Sequence, residues 1–212
     1  MSPLLQKWNQ SLERMPIVSI LRGLEPSHCI EVASVLFEAG IEILEIPLNS
    51  PEPFKSISLI KEKYPEKIVG AGTVTSVEQV EHCCEVGSNI IVAPNFNAEI
   101  AEATLSKKMI YCPGVLTPTE CFHAIAAGAH ALKLFPAELG GPKLVSAYRS
   151  VLPSETKLIA VGSVNAANLK ILKQAGASGF GIGSALFEPE LSISEIQKRT
   201  KNFVNRYIKL DL

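Results

Sequence analysis

Three observations predict an α/β fold, a single (β/α)8 barrel with an extra N-terminal helix. Apolar, β-branched runs recur roughly every 20–27 residues, each followed by a helical pattern. There are eight such runs, enough to close a parallel sheet on itself. The chain has 212 residues, 47% of them hydrophobic, which suits one domain spanning 1–212 around one core. An open, doubly wound sheet is the alternative. It would need a dinucleotide fingerprint, and Gly179-x-Gly181-x-Gly183 falls in the last unit with no acidic residue at the required distance.

The strands are expected at IVSILRG from Ile17, EILEIPL from Glu42, KIVGAGTV from Lys67 and NIIVAPN from Asn89, then at MIYCPG from Met109, ALKLFP from Ala131, KLIAVGSV from Lys157 and GFGIGSALF from Gly179. A helix ahead of Met15, with Trp8 as its packing residue, is placed to cover the N-terminal mouth of the barrel, and another follows Ser192. Between strands, Ile30, Ala33 and Phe37 share one helical face ahead of Gly40. Thr117-Pro118-Thr119-Glu120 has the form of a capping box, with Gly128 as the stop, and Ser76 to Gln79 has the same form, closing at Gly87. Asn97 and Asn165 are expected N-caps, the latter for a helix ending at Gly176.

Period-two alternation then assigns side chains to the lumen. Leu132 and Leu134 suit the helix-packed outside, so Ala131, Lys133 and Phe135 point inward. By the same reasoning Glu45 and Pro47 are inward, as are Ile20 with Arg22, Ala71 with Thr73, Val92 with Pro94, and Val161 with Ser163. Lys133 sits in an apolar run, where burial disfavours the ammonium, and an uncharged lysine is a nucleophile toward carbonyl carbon. Glu45, Arg22 and Thr73 gather near it at the C-terminal ends of strands, where barrels place catalytic groups. A structural ion pair between Glu45 and Lys133 is the bland alternative.

Two glycine-rich turns, Val161 to Val164 and Gly181 to Ala185, end the last two strands. Loops in those places bind phosphate in many barrels, at the start of a short helix, here GSALF. Gly162, Ser163, Gly183 and Ser184 would bring N–H and hydroxyl donors to it. The implied ligand is a phosphorylated small molecule with a carbonyl.

Other classes are set aside. Twenty basic and 21 acidic residues give a net charge of −1, which offers no field for nucleic acid or an anionic membrane. No run approaches the roughly 20 apolar residues of a membrane span, and the N-terminus lacks the pattern of a signal peptide. Five cysteines, an odd number, are expected as free thiols in a reducing cytoplasm. His82, Cys83 and Cys84 are neighbours on one helix and face different directions, and no metal-ligand spacing appears elsewhere, so neither metal nor cofactor is expected. A metal-dependent lyase and a non-catalytic phosphosugar-binding barrel remain rival readings, separable by chelator sensitivity and by covalent trapping.

EIPLNSP, GAGTV, IVAPN, CPG, KLFPA and AVGSV, in this order between Ile17 and Phe187, resemble the class I 2-keto-3-deoxy-6-phosphosugar aldolases. The resemblance implies a (β/α)8 barrel, a homotrimer, and reversible cleavage of a phosphorylated 2-keto-3-deoxy acid to pyruvate and D-glyceraldehyde 3-phosphate, without a cofactor. It makes Lys133 the Schiff-base lysine and Glu45 the acid/base, with Arg22 and Thr73 on the substrate's anionic groups. Pro94 and Phe135 would shape the pyruvate site, and Gly162, Ser163 and Ser184 would hold phosphate. Phosphogluconate-type members carry EVTLRTP, with arginine where this chain has Asn49, and tend to threonine where it has Val161. Both departures look like the phosphogalactonate type, and the second removes a hydrogen bond to a sugar hydroxyl. The alternative within the family is the gluconate or 4-hydroxy-2-oxoglutarate substrate. Ser163 departs from the glycine usual in both types.

Overall fold

The computed structural model describes residues 1–210, and the alternation of strand and helix runs through it as expected. The first half is α1 (Pro3–Arg14), β1 (Ile17–Ile20), α2 (Cys29–Glu38), β2 (Ile43–Pro47), α3 (Pro53–Lys63), β3 (Ile68–Gly72), α4 (Val77–Glu85), β4 (Ile90–Val92) and α5 (Ala98–Ser106). The second half is β5 (Ile110–Cys112), β6 (Gly114–Val115), α6 (Pro118–Ala126), β7 (Leu132–Leu134), α7 (Gly141–Arg149), β8 (Leu158–Val161), α8 (Leu169–Gln174), β9 (Gly179–Ile182) and α9 (Ile193–Ile208). All strand pairs are parallel, in the order β5-β4-β3-β2-β1-β9-β8-β7-β6.

Nine strands make eight staves, because β5 and β6 are one stave interrupted at Pro113. Proline lacks the N–H that a central ladder needs. The lower half of this stave pairs with β4 (Val92 opposite Cys112) and the upper half with β7 (Gly114 opposite Lys133), so the break is also where the circle closes. Pro113 still accepts, through its carbonyl, a 2.8 Å bond from the Lys133 amide.

Two apolar layers hold the barrel. Outside, Leu44, Ile46, Leu132, Leu134 and Phe180 pack fully buried beneath the helices. Truncating one of these leucines to alanine costs about 2–5 kcal/mol. Inside, Val18, Ile43, Ile68, Ile90, Ile110, Ala131 and Ile159 fill the lower lumen with Trp8 and Leu12 of α1. The N-terminal helix is therefore a plug, and Trp8 is completely buried in it. Salt and hydrogen bonds lock the plug: Glu42 accepts from the Ser11 hydroxyl at 2.9 Å and from Arg14 and Lys67 at 3.3 Å.

Several local expectations need correction. Ala71 packs in the outer layer, not the lumen, because Gly70 and Gly72 are the lumen-side positions of β3. Asn165 does not cap α8. Its side chain accepts from the Ala167 amide in a tight turn, and the helix starts only at Leu169. Ser76 caps α4, but Gln79 turns back one residue further, to the Thr75 amide at 2.7 Å, so the reciprocal box is incomplete. GSALF forms a single turn closed on the Gly183 carbonyl, not a short helix. The Thr117 box and the Asn97 cap are present as expected.

Candidate active site

Every side chain singled out for the site borders one cavity of about 290 Å³ at the C-terminal ends of the strands. Arg22, Glu45, Thr73, Pro94, Lys133, Phe135, Val161, Gly162, Ser163, Gly183 and Ser184 line it, with Ile20, Val164 and Gly181. A larger cleft of about 460 Å³ between α2 and α9 has Glu25, His28 and Glu31 on it but no lysine.

Lys133 projects from β7 between Leu132 and Leu134, and only 7% of it is exposed. Its Nζ lies 4.9 Å from the centre of the Phe135 ring, within cation–π reach, and both residues border the cavity. Glu45 projects from β2 and is 2% exposed. Burial raises its carboxyl to about 7, against the pull of Lys133 and Arg22 in the opposite direction. Its Oε2 is buried without a hydrogen-bond partner. Among the described residues, the ion pairs all lie elsewhere, so Glu45 and Lys133 face each other across the lumen without closing into a pair. An unsatisfied buried carboxyl is costly and is kept where something else uses it.

Sequence reasoning missed what makes room for that carboxyl. A Cβ on Gly72 would overlap Glu45 Oε2, so any other residue there would push the carboxyl out of its place. The signal was a glycine inside a strand, Gly70-Ala71-Gly72. Thr73, directly after it, has φ +58°. That left-handed step breaks the alternation and swings Thr73 into the cavity although Ala71 faces out. Arg22 is reached by Asn49, whose Oδ1 accepts from its Nη1 at 2.6 Å. The next residue, Ser50, accepts from the Gly23 amide at 2.9 Å, so two parallel bonds set the Arg22 turn against the loop after β2. A neutral carboxamide orients the guanidinium without cancelling its charge.

On the opposite wall, Ser163 has φ +50°, in the region that favours glycine. Its carbonyl accepts from Asn165 Nδ2 at 3.1 Å and Asn168 Nδ2 at 2.9 Å. Cys112 lies in the lumen near Lys133 and Glu45, its thiol pushed up to about 12 mainly by burial, which keeps it from acting as a thiolate. His82, Cys83 and Cys84 sit on α4, with Cys83 buried and Cys84 half-exposed. Among the described residues no three histidine, cysteine or acidic side chains gather as a metal-binding group, and no helix is long and apolar enough to cross a membrane.

The arrangement can form an imine at one amine, move a proton at one buried carboxyl, and hold anions at both ends of a short chain. The family model described as KDPG and KHG aldolase matches residues 9–201. A probable 2-dehydro-3-deoxy-6-phosphogalactonate aldolase of Rhizobium meliloti is 41% identical over 87% of each chain. The 2-dehydro-3-deoxy-6-phosphogalactonate aldolase of Escherichia coli is 38% identical over 92% of this chain and 95% of its own. A solved structure described as native KDPGal superposes with a TM-score of 0.91 at 38% identity, over 93% of this chain and 96% of that one. The chain thus belongs to the KDPG and KHG aldolase family, and it is an aldolase, a carbon–carbon lyase.

Proposed function

We propose that the protein is a Schiff-base aldolase that reversibly cleaves 2-dehydro-3-deoxy-6-phosphogalactonate to pyruvate and D-glyceraldehyde 3-phosphate. The observation that carries this reading is Lys133 facing a buried, high-pKa Glu45 in one cavity with anion donors on both sides. The Lys133 amine adds to the C2 ketone, and the carbinolamine takes up a proton and loses water to give a protonated imine. Glu45, ionised, takes the C4 hydroxyl proton. The C3–C4 bond breaks, its electrons pass into the imine to form a neutral enamine, and the aldehyde leaves. Glu45 returns its proton to C3, and water hydrolyses the resulting imine to pyruvate and free Lys133. A carboxyl poised near 7 serves both directions, a step that typically contributes about 10²–10⁴-fold.

Arg22 and Thr73 would hold the carboxylate end, with Pro94 and Phe135 shaping the pyruvate subsite. The turns at Gly162–Ser163 and Gly183–Ser184 would take the phosphate. Val161 and Asn49, which lack the threonine and arginine of the gluconate type, and the names of the two relatives support the galacto epimer. The resemblance further carries a homotrimer, which sedimentation equilibrium checks.

Borohydride reduction with pyruvate is expected to add a 1-carboxyethyl mass, that of the reduced pyruvate imine, at Lys133, and Lys133→Ala to abolish both labelling and turnover. Glu45→Gln should still form the adduct but cleave slowly. Label on another residue would remove Lys133 from the mechanism. Comparison of kcat/KM for the two C4 epimers tests the substrate, and equal or reversed values would assign the gluconate acid instead.

A further inference from the structure

Arg199 lies on α9, outside the barrel, and does not border the cavity, yet it touches the cavity's rim. Its Nη1 donates to the Ser184 carbonyl at 2.9 Å and to Glu188 Oε2 at 3.0 Å. A trans peptide places its N–H opposite its C=O. The peptide that joins Ser184 to Ala185 therefore aims its N–H away from α9 when its carbonyl is held by Arg199. In the same turn the Leu186 and Phe187 amides both donate to the Gly183 carbonyl, while the Ser184 and Ala185 amides have no acceptor among the described residues. The turn after the neighbouring strand β8 follows the same pattern. Asn165 and Asn168 grip the Ser163 carbonyl from outside, and the Val164 amide beyond it is likewise without an acceptor.

We infer that Arg199 is a positioning residue for the phosphate end of the substrate. By anchoring the Ser184 carbonyl it fixes the 184–185 peptide with its N–H toward the cavity, beside the Val164 N–H presented by the asparagine pair on the neighbouring turn. Donors oriented before the ligand arrives need no reorganisation when it binds. Arg199 acts through the backbone, and its guanidinium does not touch the ligand. The inference rests on the proposed reading that phosphate occupies this side of the cavity.

The test uses the condensation direction, with pyruvate as donor and either D-glyceraldehyde 3-phosphate or unphosphorylated D-glyceraldehyde as acceptor. For Arg199→Ala we expect KM for the phosphorylated aldehyde to rise about tenfold with kcat little changed, as for a modest displacement of a binding group. KM for D-glyceraldehyde should stay within about twofold of wild type. Arg199→Lys, which keeps charge and donor, should fall between the two, and Arg199→Met replaces the alanine variant if that one does not fold. Glu188→Gln removes the ion pair but leaves the carbonyl contact, and should bind both acceptors normally. If the wild type prefers the phosphorylated aldehyde but Arg199→Ala weakens both acceptors equally, or neither, the positioning role is wrong. If the wild type shows no such preference, the phosphate reading fails first and the role of Arg199 falls with it.

Discussion

At single positions, the site is built from residues that are unfavourable for the fold. Glu45 is the strongest case: its carboxyl moves from 4.5 to about 7, first because it is buried. The folded protein then binds this proton more tightly than the unfolded chain does. Its contribution to stability is full below the unfolded value of about 4.5 and is lost as pH rises through about 7. Glu45→Gln has no such titration. Its thermal stability relative to wild type should therefore improve between pH 5 and pH 8, by an amount on the order of 3 kcal/mol. Parallel melting curves at the two pH values would test this, and a constant difference would contradict the raised carboxyl. Ser163 gives a second case. A serine at φ +50° is strained where glycine is not. Ser163→Gly should raise the urea midpoint, with the slope unchanged, by the equivalent of about 0.5–1 kcal/mol of added stability after allowing for glycine's greater freedom when unfolded. A lower midpoint would mean that the hydroxyl compensates for the backbone.

Among the elements, α1 has a task beyond closing the bottom. Together with the inner layer it keeps the space beneath Glu45 and Lys133 apolar, down to a residual cavity of about 10 Å³ bordered by Trp8, Glu45, Lys133 and Cys112. The latch that holds α1 is legible in its electrostatics. Burial alone would raise Glu42, but the Ser11 hydroxyl and the Lys67 and Arg14 charges outweigh it and hold the carboxyl below its ordinary value. A lowered acid stabilises the folded state above its unfolded pKa, and that contribution disappears as pH falls through the folded one. Trp8 is the sole tryptophan, so its emission reports the plug directly. Wild-type emission should shift red on acidification below the ordinary carboxylate range, whereas Glu42→Gln, which has no carboxyl to titrate, should already be red-shifted at neutral pH. Coincident transitions in the two proteins would place the acid sensitivity elsewhere. The sequence made much of this visible, because strand periodicity needs only alternating burial. The lumen set around Lys133 and Glu45 and the outer leucines follow from it, and the plug from the helix placed ahead of Met15. It failed where backbone geometry changes mid-element. Alternation alone puts Ala71 in the lumen, because nothing in it marks the left-handed step at Thr73. The broken stave at Pro113 and the clasp from Asn49 to Arg22 depend on contacts between distant segments, which periodicity does not encode.

Over the whole molecule, polarity is arranged along the barrel axis and not in net charge. Apolar side chains from seven staves and α1 fill the lower lumen, while Arg22, Thr73 and the two turns at Gly162–Ser163 and Gly183–Ser184 stand at the upper mouth. The formal charge of −1 leaves no long-range field to attract an anionic substrate. Capture must then depend on groups within a few ångströms of the ligand, where screening by salt is weak because the contacts are partly buried. An enzyme steered by its overall field loses much of its association rate as ionic strength rises. Here kcat/KM for the phosphorylated acid should fall by less than about threefold between low and physiological salt. The fall should come in KM, with Arg22→Gln lowering kcat/KM far more than salt does. A tenfold or steeper loss with salt in the wild type would show that charges distant from the cavity recruit the substrate, and the local assignment to Arg22 and the two turns would then have to be abandoned.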